Sequence, residues 1–87
     1  MKKIRIKEID FPLIPGQEAR IILNSSKELF IENHRGILEY GDSLIVVASR
    51  GGSINIIGEK LRAVAMNKSQ LLIKGRIREL ILGGGNV

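Results

Sequence analysis

From Leu29 to Leu82 the chain is a ladder of short apolar runs cut by glycines and polar turns. In order they read LFIEN, ILEY, SLIVVAS, SINIIG, KLRAVAM, QLLIKG and RIRELIL. Many short β-branched runs at roughly 8–12-residue spacing predict an all-β domain, a small antiparallel sandwich or partly open barrel. No connection is long enough for the crossover helix that parallel pairing requires.

The turn chemistry places the strands. Alternation of Ile4, Ile6 and Glu8 with Arg5 and Lys7 predicts a half-buried first strand. The segment DFPLIPG (residues 10–16) carries both prolines, which cannot donate to a ladder, so it reads as a connection. Ala19–Leu23 predicts a second strand, closed by the turn cluster Asn24-Ser25-Ser26-Lys27. Asn33, which tolerates positive φ, and Gly36 flank His34-Arg35 between two apolar runs, which predicts a hairpin there. Gly41-Asp42, Arg50-Gly51-Gly52 and Asn67-Lys68-Ser69 predict further turns. The run Ser43–Ser49 is apolar on both faces, as expected of a strand buried on two sides or covered by a partner.

Two glycines interrupt the pattern differently. Ile56-Ile57-Gly58 and Ile73-Lys74-Gly75 share an Ile-x-Gly pattern, and a single echo is too little for a solenoid. Gly58 and Gly75 are expected to mark bends or bulges. Strands are expected on either side: Ser53–Ile57 and Leu61–Met66, then Gln70–Lys74 paired with Arg76–Leu82. The chain is read as one domain. Residues 1–16 form a basic arm and connection, 17–82 the β body, and 83–87 a glycine-rich tail.

Composition narrows the class. At 87 residues without cysteine, neither a disulfide framework nor a thiolate metal site supports the core. No apolar run approaches the roughly 20 residues of a membrane-spanning helix. The N-terminus lacks the apolar segment of a secretion signal, so the chain is expected to be soluble and not exported. The net charge is +5. Charge at Lys74, Arg76 and Arg78 could form a basic interaction surface, or lie on solvated strand faces.

Candidate chemistry is sparse. His34 is the only histidine. As a base it would need an orienting partner and a nucleophile, and as a ligand it would need company. It is expected to be a hydrogen-bonding turn residue. Glu32 and Glu39 could face each other across the predicted hairpin as a carboxylate pair, or simply be solvated. Gly83-Gly84-Gly85 has no following Lys-Ser/Thr and no helix to cap, so a phosphate loop is excluded. No catalytic residue, cofactor or metal is expected. A basic β-barrel that binds nucleic acid is the alternative, weakened because three aromatic residues are too few to stack bases.

The run Ile31–Tyr40, the later spacing of Ile54, Ile56, Gly58 and Leu61, and then Leu71, Ile73, Gly75 and Ile77 resemble the YabP/YqfC family of sporulation proteins. The proline-containing lead-in at residues 12–16 resembles that of the YqfC-like branch. The resemblance makes Asn33, His34, Gly36, Tyr40, Gly58, Leu61 and Gly75 the family-motif positions. It implies a non-enzymatic protein acting in the mother cell, in spore coat or cortex formation, at or near the forespore surface. It also implies protein partners, one of them membrane-associated. The basic residues 1–7 depart from the family pattern. The two-sided strand Leu44–Ala48 and the sheet edges point to self-association as a homo-oligomer or to strand addition by a partner.

Overall fold

The computed structural model describes residues 6–11 and 19–83, and every regular element among them is a β-strand. The strands are β1 (Ile6–Phe11), β2 (Ala19–Asn24), β3 (Glu28–Glu32), β4 (Ile37–Tyr40), β5 (Leu44–Ser49), β6 (Gly52–Met66) and β7 (Gln70–Leu82). They form one antiparallel sheet in the order β1-β2-β3-β7-β6-β5-β4, not closed into a barrel. The expected all-β architecture is therefore present. The basic residues 1–5, the segment 12–18 that holds the prolines, and the tail from residue 84 lie outside the described residues.

The sheet acquires two layers because its central hairpin is bent. β6 and β7 are long, with 15 and 13 residues, and their register shifts between Ile57 and Gly58 and again between Glu59 and Arg62. Lys60 takes φ +54° at this bulge. Before the bend, β6 pairs with β5, setting Ile45 opposite Ile56 and Val47 opposite Ile54. The N-terminal half of β7 pairs with β3, setting Leu29 opposite Ile73 and Ile31 opposite Leu71. All of these residues are buried in one aliphatic core, together with Ala19, Ile21, Leu61 and Ile77. Period-2 alternation supplies this core: Ala19 and Ile21 point inward from β2 while Arg20 between them is exposed.

Gly58 and Gly75 make the bend possible. A Cβ on Gly58 would stand 1.9 Å from the Arg76 carbonyl oxygen. One on Gly75, at φ +145°, would stand 2.6 Å from the Lys60 carbonyl oxygen. The two strands cross backbone to backbone, and no side chain fits between them. Neighbouring turns tie the bend down. Gly58 N–H donates to Ser43 O at 3.1 Å and Leu61 N–H to Asp42 O at 2.9 Å. Gly75 N–H donates to Lys27 O at 3.1 Å and Ile77 N–H to Ser26 O at 2.9 Å.

Three expectations change. Ser53–Ile57 and Leu61–Met66 are one strand, β6, and Gln70–Lys74 and Arg76–Leu82 are one strand, β7, rather than a pair. The glycines bend the ladder without ending it. Residues 33–36 do not close a hairpin: β3 pairs with β2 and β7, while β4 pairs with β5 at the far end of the sheet. The segment is a crossover from one layer to the other. Finally, β5 with its two-sided run is an interior strand between β4 and β6, so Leu44–Ala48 presents no unpaired edge. Only one of its faces is in the core, through Ile45 and Val47, while Leu44, Val46 and Ala48 on the other face are half-buried.

Candidate functional site

The crossover is built around His34. Asn33 at φ +68° and Gly36 at φ +114° turn the chain out of β3 and into β4. Between them the His34 ring is buried, with 4% of its surface exposed. Its Nδ1 accepts the Gly36 N–H at 2.9 Å. That leaves the ring proton on Nε2, which donates to the Asn67 carbonyl at 3.0 Å. His34 thus fastens the crossover to the β6–β7 turn. The backbone makes the same link: His34 N–H reaches Ser69 O at 3.4 Å, and Arg35 N–H donates to Ala48 O at 2.8 Å. The Asn67 side chain caps its own turn by accepting from Ser69 and Gln70 N–H at 3.0 and 2.7 Å.

Both His34 nitrogens are therefore used in structure, as expected of a hydrogen-bonding turn residue. Glu32 and Glu39 do not form a carboxylate pair. Glu32 in β3 lies opposite Gln70 and Arg20, and Glu39 in β4 lies opposite Val46. Such a pair would have needed the hairpin that residues 33–36 do not make, and the solvated reading stands. Among the described residues no group of three or more His, Asp or Glu side chains could hold a metal ion.

The other motif positions are scattered. Gly58, Leu61 and Gly75 belong to the bend, with Leu61 in the core. Tyr40 sits on edge strand β4, and its hydroxyl oxygen accepts the Ala63 N–H at 2.9 Å. It bridges β4, an end strand of the sheet, to the second half of β6, which β5 does not reach. Both edges carry a bulge, at Leu38 in β4 and at Val64 in β6, and each bulge exposes its apolar side chain.

Each of the three cations at Lys74, Arg76 and Arg78 has a carboxylate beside it, with Glu59 shared between two of them. Lys74 Nζ lies 3.3 Å from Glu28, Arg76 3.5 Å from Glu59, and Arg78 2.9 Å from Glu59. These pairs are more than a third exposed and contribute at most about 1 kcal/mol each. Three other cations gather at the opposite end of the molecule. Arg35, Arg50 and Lys68 line a cleft of about 590 Å³ beside His34, Asn67 and Ser69. They come from three different turns, so no local motif announces them. The only sequence signal is that each sits inside a turn.

A half-open antiparallel β domain with a bent central hairpin and a histidine-pinned crossover is the class that fold and site define. The chain belongs to the YabP family, whose profile matches residues 15–86. No curated protein and no solved structure gives a significant match. Among the described residues no helix is long and apolar enough to cross a membrane.

Proposed function

We propose that this protein is a non-enzymatic assembly component of sporulation, acting through protein contacts in the mother cell during coat or cortex formation. Family membership supports the link to sporulation. One observation carries the interaction role. Of the large apolar side chains exposed among the described residues, Leu38, Tyr40, Val64 and Met66 lie on β4 and the second half of β6. β4 is an end strand of the sheet, and the second half of β6 pairs with β7 but lies beyond the reach of β5. Unpaired strand edges with apolar side chains are templates for strand addition, by a second copy or by a partner such as a membrane-associated sporulation protein.

The test is gene deletion followed by complementation, scored as heat-resistant spores and coat morphology. Deletion is expected to impair sporulation, and the unaltered gene to restore it. The double variant Leu38→Lys/Val64→Lys is expected to fold, by far-UV circular dichroism, yet fail to restore it. Normal spores after deletion would sink the sporulation role. Full rescue by the double variant would sink the edge as the working surface.

A further inference from the structure

The cleft beside His34 adjoins the open edge at Met66, but its charge is one-sided. Arg35, Arg50 and Lys68 line it, and no carboxylate does. The two depressions at the other end of the sheet differ in this respect. One sets Asp42 among Lys60, Arg62 and Lys74, and the other sets Glu59 among Lys27, Lys60 and Arg76. Arg35, Arg50 and Lys68 form no ion pair among the described residues, and neither do Lys27, Lys60 and Arg62 in those depressions; what sets the cleft apart is a lining with three cations and no carboxylate. Three like charges line one recess, and its lining supplies no opposite charge to offset their repulsion.

The frame that holds them is rigid. The buried His34 ring ties residues 34 and 36 to residue 67, immediately before Lys68. The Asn67 side chain fixes the turn that carries Lys68. The Ala48 backbone, two residues before Arg50, holds Arg35 and Gly36 through paired hydrogen bonds of 2.8 Å. The backbones bearing the three cations are therefore set in place before any ligand arrives, which lowers the ordering cost of binding.

We propose that this cleft is a binding site for carboxylate side chains, and that its occupant is an acidic peptide segment of a partner protein. Arginine forks match carboxylates in bidentate geometry, and two of the three cations are arginines. The lining has no Phe, Tyr or Trp, and its one imidazole, His34, is buried and held at both nitrogens, so it offers no exposed platform for stacking nucleic-acid bases. The cations line a recess rather than a projecting face, which suits inserted side chains better than a flat lipid surface. The site does not depend on the sporulation role: either can fail while the other stands.

The test uses the full chain, labelled with ¹⁵N, and hexaglutamate as the probe at low salt. Backbone resonances of residues 33–36, 50 and 66–69 are expected to shift on titration. The triple variant Arg35→Gln/Arg50→Gln/Lys68→Gln is expected to bind about tenfold more weakly, at a fraction to one kcal/mol for each exposed charge contact. The charge-matched control Lys27→Gln/Lys60→Gln/Arg62→Gln is expected to lose less than about twofold, because its cations stand at the other end. Equal losses in both variants would reduce the effect to net charge and overturn the site. Absence of hexaglutamate binding would also overturn it. Tighter binding, through the same residues, of an octathymidylate or of phosphatidylglycerol vesicles would overturn the acidic peptide as occupant.

Discussion

Substituting alanine for Gly58 tests the bend directly. The added Cβ would stand 1.9 Å from the carbonyl oxygen of Arg76, 3.0 Å from its carbonyl carbon and 3.1 Å from the Cα of Ile77. Carbon–oxygen contacts settle near roughly 3.3 Å, so the two backbones must separate by about 1.4 Å. Every atom in the way is backbone, and no side chain can swing aside. The strand on the other side is held as well, because Ile77 N–H is bonded to Ser26 O. Forced overpacking of this kind costs about 1–3 kcal/mol and occasionally more, and a purely backbone clash belongs at the upper end, about 3 kcal/mol. A domain of this size has only about 4–13 kcal/mol of stability in total. The melting temperature should then fall by about 12–24 °C. Thermal and urea unfolding followed by far-UV circular dichroism measure this. Gly41→Ala is the control, since its nearest contact is Leu44 O at 3.4 Å. It should stay within about 0.5 kcal/mol of the unaltered protein. If Gly58→Ala proved equally mild, β6 and β7 would not cross this closely, and the two-layer reading of the sheet would lose its basis.

Two further outcomes are expected. His34→Ala leaves the Gly36 N–H and the Asn67 carbonyl without their partner in a half-buried setting, and should cost about 2–4 kcal/mol in urea unfolding; a change below about 0.5 kcal/mol would show that the crossover does not depend on this residue. Tyr40→Phe removes the acceptor of the Ala63 N–H at the open edge. It should cost no more than about 1 kcal/mol while speeding hydrogen exchange at Ala63 selectively, and unchanged exchange there would disprove the bridge.

Much of this fold could be read from the chain, and the exceptions have a common cause. The turns at residues 24–27, 41–43, 50–51 and 67–69 are legible because two strands meet at each through local turn chemistry. Residues 33–36 carry the same chemistry, with Asn33 and Gly36 at positive φ, yet they join strands that never pair. A turn residue specifies that the chain changes direction, not which strand receives it. Gly58 and Gly75 were legible as bends, but not as bends in continuous strands, because the ladder that carries β6 and β7 through them comes from distant partners. The role of His34 as a hydrogen-bonding residue followed from its isolation. The convergence of Arg35, Arg50 and Lys68 did not, since only the bent hairpin brings their turns to one end.

Among the described residues β7 is the last of seven strands in chain order but stands fourth across the sheet, between β3 and β6. Every strand made before it belongs to one of two incomplete halves, β1-β2-β3 and β4-β5-β6, whose inner edges wait for the same missing partner. A nascent chain therefore cannot assemble this core progressively. It must hold both halves apart, with β3 and β6 unsatisfied, until residues 70–82 have left the ribosome. During synthesis, then, the edges left without a partner are ones that lie at the centre of the mature sheet.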